Sequence, residues 1–310
     1  MPGKLSLIVP CFNEEQTLPL FYPATEKIKT QLRGLSLEYW FINDGSRDST
    51  LDKLKQLQQN DPEHVHYISF SRNFGKESAL YAGLQAATGD YVAVMDADLQ
   101  DPPELLPTML AGIQDEHYDI VGTKRTDRKG EPPIRSFFSN LFYRLINHIS
   151  NTPILNGVRD FRLMTRQVVD AILAMKEYRR FSKGIFSWVG FNTKYLPYEN
   201  HDRIAGKTSW SFGKLFKYSL DGIVAFSELP LSIASFVGFF SFVIAIIALF
   251  FIVIRQLVFG DSVAGWASIV SIMIMVGGLQ LLCLGIVGKY IGNIYLEVKN
   301  RPIYIIKEKK

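Results

Sequence analysis

Leu229 to Ile254, LPLSIASFVGFFSFVIAIIALFFIVI, carries no charge, and neither does Gly265 to Gly288, GWASIVSIMIMVGGLQLLCLGIVG. Each run exceeds the roughly 20 residues that cross a bilayer as a helix. Core helices of soluble domains keep a polar face, whereas these runs are apolar all round, so the sequence predicts two transmembrane helices, 229–254 and 265–288. The link RQLVFGDSVA holds one Arg and one Asp, while Lys214 and Lys217 precede the pair and Lys299, Arg301, Lys307, Lys309 and Lys310 follow it. By the positive-inside rule both termini are expected in the cytoplasm. Gly288 and Gly292 give one small-xxx-small spacing, a route to helix packing and a homo-oligomer.

The sequence before residue 229 has a different grammar. Short apolar runs at Leu5–Val9, Glu38–Asn43, Val65–Phe70, Tyr91–Met95 and Asp119–Thr123 alternate with helical patterns near Glu14–Leu32, Ser49–Gln59, Lys76–Ala87 and Pro103–Gln114. Such alternation predicts a doubly wound α/β domain over 1–228 with a largely parallel, Rossmann-like sheet, followed by a membrane domain over 229–310 that ends in a basic tail. The opening MPGKLSLIVPCFNEE has too short an apolar stretch for a signal peptide. A formal net charge of +4 spread along 310 residues gives no nucleic-acid footprint. Cys11 and Cys283 form no disulfide framework.

In a parallel sheet, ligands sit beyond the carboxyl ends of the strands. Those positions carry Pro10, Phe12, Asn13 and Glu14 after the first run, Asn43 and Asp44 after the second, and Asp96, Asp98, Gln100 and Asp101 after the fourth. Carboxylates converging on one crevice repel unless a cation or many donors relieve them. Asp96 and Asp98, two apart, suit a hard divalent cation, Mg²⁺ or Mn²⁺, whose shell a nucleoside diphosphate completes. No G-x-G-x-x-G is present, and Gly206-Lys207-Thr208 lacks the leading glycine of a P-loop, because His201 stands there. His64 and His66 lack further partners for zinc.

IVPCFNEE, INDGSRDST, SRNFGKESALYAG and MDADLQDPPE, in this order, resemble the hallmarks of the GT-A fold, family 2 glycosyltransferases. More narrowly the chain resembles polyprenyl-phosphate glycosyltransferases such as the dolichol-phosphate mannose synthase and bactoprenol glucosyltransferase group. The resemblance implies that Pro10, Phe12, Glu14 and Asp44 hold the nucleoside, and that Asp96, Asp98 and Gln100 surround the metal and diphosphate. Many relatives carry two aspartates before Gly-Ser; this chain has Asn43-Asp44, so the role passes to Asp44 alone. RDFRLMTR resembles a segment that supplies a catalytic carboxylate, here Asp160, for which a helix-capping role is the alternative.

The implied reaction is inverting transfer of a sugar, glucose by analogy, from UDP-glucose to undecaprenyl phosphate at the cytoplasmic face of the inner membrane. GDP-mannose and other UDP-sugars are alternative donors. Arg125, Arg135, Arg203 and Lys207 are candidates to screen the phosphate groups. IRSFFSNLFYRLINHIS, about 134–150, and SFGKLFKYSLDGIVAF, 211–226, read as interfacial amphipathic helices facing lipid. A processive polysaccharide synthase would add a Q-x-x-R-W motif and more spans, which are absent. A non-catalytic membrane scaffold that binds a nucleotide sugar is the reading of another class.

Overall fold

A computed structural model describes residues 3–126, 144, 146–147, 155, 157–198, 223–224, 227, 229–259 and 266–310. The chain divides into two compact units, Met1–Gly222 with Pro302–Lys310, and Ile223–Arg301.

The first unit is built on β1 (Lys4–Cys11), β2 (Ser36–Asn43), β3 (Val65–Phe70), β4 (Tyr91–Val94), β5 (Ile120–Arg125), β6 (Val158–Thr165), β7 (Thr193–Tyr198) and β8 (Ile306–Lys309). They form one sheet in the order β7-β5-β6-β4-β1-β2-β3-β8. β1 runs parallel to β2 and β4, and β2 runs parallel to β3, so their carboxyl ends share one edge. The apolar runs of β1 and β2 are buried almost end to end, as expected where helices cover both faces of a sheet. Leu5, Leu7, Val9, Tyr39, Phe41, Phe21 and Leu110 anchor the largest core cluster, with Tyr39 stacked on Phe41 at 5.8 Å and an interplanar angle of 5°. Each such fully buried large side chain contributes about 2–3 kcal/mol.

The helices of this unit are α1 (Leu18–Glu26), α2 (Thr50–Asn60), α3 (Lys76–Ala86), α4 (Leu106–Gln114), α5 (Arg166–Ala174) and α6 (Ser182–Trp188). The α/β expectation is met, and the first five strands fall where the apolar runs place them. The first helix is shorter than its pattern because Pro23 lies inside it and cannot donate to the helical ladder; the chain leaves the helix at Lys27 and resumes as a 3₁₀ turn, Lys29–Gln31.

Three strands lie outside the expected set, and two of them change the sheet. β6 pairs antiparallel with both β4 and β5. Asp160 therefore stands within a strand, and the helix-capping alternative is corrected: the following helix starts at Arg166, with Thr165 at its cap position. β8 pairs antiparallel with β3, so the basic tail folds as an edge strand of the first unit rather than trailing behind the membrane region.

In the second unit, α7 (Leu229–Phe259) and α8 (Trp266–Lys299) match the two apolar runs but extend past them. Both are long and apolar enough to cross a membrane. Large side chains such as Phe236, Phe242, Phe250, Met273 and Leu281 are each more than 60% exposed, a surface that water would penalise and lipid would not. Tyr290 donates to the Ser227 carbonyl at 2.7 Å, and Cys283 Sγ lies 3.6 Å from the Ala234 carbonyl, tying the pair together. A Cβ on Gly288 or Gly292 would meet nothing within 4 Å among the described residues. The interfacial stretches 134–150 and 211–226 lie outside the described residues, except that Arg144, Ile146, Asn147, Ile223 and Val224 are helical.

α3 crosses β1 at Gly83, where a Cβ would fall 2.2 Å from Ile8 Cγ2. Gly83→Ala is expected to destabilise the first unit by about 1–3 kcal/mol, as overpacking does, and to lower its thermal unfolding midpoint accordingly. An unchanged midpoint would show that α3 can shift away from β1 at no cost.

Candidate active site

The carboxyl edge of the sheet is laced by side-chain hydrogen bonds before any ligand arrives. Asn13 takes a left-handed conformation, φ 57°, donates its backbone N–H to Ser46 Oγ at 3.0 Å and accepts from the Arg47 N–H at 2.9 Å. The Glu14 N–H donates to Thr50 Oγ1 at 2.8 Å, while the Glu14 carboxylate accepts from Thr17 Oγ1 at 2.7 Å. These bonds fasten the loop after β1 to the loop after β2. Pro10 and Phe12 line it, both half-buried.

Asn43, where the resembling family often has a first aspartate, is held by two hydrogen bonds. Its Nδ2 donates to Ser69 Oγ at 2.9 Å and its Oδ1 accepts from the Ser46 N–H at 3.1 Å. An aspartate could accept both bonds, the Ser69 hydroxyl then donating, so nothing in these contacts explains the asparagine. Asp44 is buried and accepts from two successive backbone amides, Phe74 N–H at 2.6 Å and Gly75 N–H at 2.9 Å. Burial pushes its carboxyl up to about 6, against the pull of those two donors.

One residue farther along stands the centre of the site. Lys76 Nζ lies 2.6 Å from Asp96 Oδ1 and 2.5 Å from Asp160 Oδ2, so a single ammonium joins the end of β4 to a carboxylate of β6. Burial would raise the Asp160 carboxyl, but the charge of Lys76, followed by those of Lys183 and Arg162, holds it well below the usual carboxylate range. Burial disfavours the Lys76 ammonium too, and the two carboxylates outweigh it.

Next to this triad, Leu99 turns the chain with φ 54°, and Asp98, 5% exposed, accepts the Gln100 N–H at 3.2 Å. Arg159, the β6 neighbour of Asp160, donates to Gln100 Oε1 at 3.1 Å and to Asp101 Oδ1 at 3.3 Å; Tyr198 of β7 also donates to Asp101. Arg162 supports β6 from beneath: it donates to the carbonyls of Arg159 and Asp160 and lies 3.6 Å over the Phe186 ring.

The structure thus brings Asp44, Asp96 and Asp160 to the single turn Phe74–Lys76, with Asp98 and Gln100 following Asp96. Arg125 stands at the end of β5, half-buried. Arg135, Arg203 and Lys207 lie outside the described residues. Lys76 and Arg159 were not anticipated from the sequence. A signal for Lys76 was present: a cation in the first turn of a helix opposes the helix dipole and implies a local anionic partner.

Among the described residues no three His, Cys, Asp or Glu side chains form a ready-made metal cluster. The donor set at Asp96 and Asp98 still fits a hard divalent cation of the kind bound by one or two carboxylates together with substrate phosphates. Gln100 Oε1 spends one lone pair on Arg159 and keeps a second.

The sequence profile of the family described as Glycosyl transferase family 2 matches residues 6–173. The chain is 42% identical over 307 residues to a protein of Escherichia coli (strain K12) named prophage bactoprenol glucosyl transferase homolog, covering 99% of each chain. It is 43% identical over 305 residues to the SfII prophage-derived bactoprenol glucosyl transferase of Shigella flexneri, covering 98% of each. Among solved structures, glucosyl-3-phosphoglycerate synthase from Mycobacterium tuberculosis, crystallised with Mn²⁺ and UDP-glucose, overlaps 72% of this chain and 77% of its own at 17% identity, with a TM-score of 0.48.

Asp44 gives a pH test. Its folded pKa lies above the unfolded value of 3.8, so its ionisation costs stability as pH rises from about 4 to about 6. Over that window the protein should lose up to about 3 kcal/mol relative to Asp44→Asn, read as diverging unfolding midpoints. Parallel midpoints would show that the two amide donors offset the burial.

Proposed function

This chain belongs to glycosyl transferase family 2, and we propose that it transfers glucose from UDP-glucose to undecaprenyl phosphate, with inversion at the anomeric carbon. The observation that carries the acceptor and the sugar is identity of 42–43% along essentially the whole chain, apolar helices included, with one protein named a bactoprenol glucosyl transferase and another named a homolog of one. The site chemistry is consistent with that reading.

Pro10, Phe12, Glu14 and Asp44 would hold the nucleoside in the laced loops after β1 and β2. Asp96, Asp98 and Gln100 would hold Mg²⁺ or Mn²⁺, which when bound supplies a Lewis acid for the departing diphosphate. The acceptor needs little activation: a phosphate monoester with a second pKa near 6 is already ionised at neutral pH. Lys76 holds the Asp160 carboxyl well below the usual carboxylate range, which makes it a weak base suited to orient rather than to deprotonate. As the acceptor oxygen bonds to the anomeric carbon, the bond to the diphosphate breaks on the opposite face and the electron pair leaves with the nucleotide. Arg125, Arg135, Arg203 and Lys207 would screen the two phosphate groups from the carboxylates around them.

The sheet also bears on topology. β1 to β7 precede the apolar helices and β8 follows them, yet all eight pair in one sheet. A sheet cannot be divided by a bilayer, so two crossings, an even number, return the chain to the side it left. With the positive-inside rule, that side is the cytoplasm.

Transfer of radiolabelled glucose to undecaprenyl phosphate in detergent, with and without chelator, tests the proposal. Asp98→Ala is expected to lower turnover at least 1000-fold while membrane insertion is retained, a loss on the order of 4 kcal/mol of transition-state stabilisation. Asp160→Asn should lower kcat about 100-fold with little change in the KM for UDP-glucose. Chelator-resistant transfer, or full activity of Asp98→Ala, would remove the metal from the reading; nucleotide binding without any lipid product would favour a binding scaffold.

A further inference from the structure

The segment that follows α8 is built into the support of the donor loop. Only Asn300 and Arg301 separate the end of α8 from the part of the tail assigned to the first unit. Ile303 then offers its carbonyl to Ser78 Oγ at 3.3 Å, and the same hydroxyl lies 3.2 Å from the Phe74 carbonyl. Tyr304 stacks on Phe70 at 4.9 Å and donates to Gln85 Oε1 at 2.7 Å. Phe70 in turn meets Phe74 edge-to-face at 5.8 Å. Beyond them the Ile305 carbonyl accepts from the Ser71 N–H at 3.0 Å, β8 pairs with β3, Tyr67 donates to Glu308 at 2.5 Å, and Lys55 lies 3.0 Å from the other Glu308 oxygen.

The contacts at Phe70, Ser71 and Ser78 fall on residues 70–78, the stretch whose Phe74 and Gly75 amides hold Asp44 and whose Lys76 holds Asp96 and Asp160. The opposite side of that stretch is fixed by Gly45, where a Cβ would lie 2.4 Å from the Arg72 carbonyl carbon. The loop is therefore clamped between the turn after β2 and the tail. β3 would otherwise be an uncovered sheet edge, and the residue leading out of it would lose its aromatic support.

We propose that Ile303–Glu308 is a positioning element of the donor site, with Tyr304 acting through Phe70 and Phe74 to hold the amides of Phe74 and Gly75 against Asp44. The chain leaving the second apolar helix thereby sets the affinity for the nucleotide sugar. This inference rests on the reading of Asp44 as a nucleoside contact.

The test uses the full chain in detergent and three variants, Tyr304→Ala, Tyr304→Phe and Asp44→Asn, each assayed for kcat and for the KM of UDP-glucose. Amide hydrogen exchange over residues 70–78 and over β1 is followed in parallel. Tyr304→Ala is expected to raise KM about tenfold with kcat within threefold, and to speed exchange at Phe74 and Gly75 while β1 stays protected. Tyr304→Phe keeps the stack and should stay within threefold of the parent in KM. If Asp44→Asn raises KM but Tyr304→Ala leaves it within twofold, the tail has no positioning role. Faster exchange across β1 as well as the loop would mean that Tyr304 serves overall stability only, which also overturns the proposal. If Asp44→Asn itself leaves KM unchanged, the nucleoside reading fails and the donor-site role of the tail fails with it; exchange at Phe74 and Gly75 then reports separately whether the tail holds the loop.

Discussion

Two carboxylates from strands of opposite direction share one ammonium at the carboxyl edge of the sheet, and the rest of the site is arranged around that charge balance. Asp96 and Asp160 would repel each other if left alone; Lys76, within 2.6 Å of both, converts the repulsion into a tie between β4 and β6. Taking two such charges partly out of water is costly, and removing the lysine would leave an uncompensated pair. The position of Lys76 is in turn set by the turn Phe74–Gly75, whose amides are held by Asp44. One tight turn thus couples Asp44 to the pair Asp96 and Asp160.

That coupling explains how the chain can present several acidic loops in one crevice without losing the fold. Each carboxylate has an identified donor: two amides for Asp44, an ammonium for Asp96 and Asp160, a guanidinium and a phenol for Asp101, and a backbone amide for Asp98. The proposed donor, with its diphosphate and metal, would enter a site whose charges are already paired, so binding would exchange partners rather than create a new balance. The tail after α8 packs on the same stretch, through Ile303 on Ser78 and Tyr304 on Phe70.

Much of the candidate site was legible because its residues stand at strand ends and fall in short contiguous motifs. Asp44, Asp96 and Asp98 were named from their position after apolar runs, where local pattern is enough to place a strand end, whereas Asp160 was named only from the resemblance of RDFRLMTR to a family segment. β6 was not legible: RDFRLMTR joins directly to the amphipathic pattern of α5, and the boundary at Thr165 depends on pairing with β4, a partner more than sixty residues away in the chain. β8 was hidden for a different reason. IKEK has the composition of a solvated basic tail, and only the open edge of β3 makes it a strand.

The sequence by itself determined the two apolar helices, the alternation of strands and helices before them, and the acidic residues at the carboxyl edge. These follow from periodicity and from the length of hydrophobic runs, which are local properties. Only the tertiary structure decided that Lys76 bridges Asp96 and Asp160, that Arg159 joins Gln100 to Asp101, and that the tail returns to β3. Each of those depends on which distant segments the sheet order makes neighbours, and an ion pair or an edge strand has no periodicity of its own to betray it.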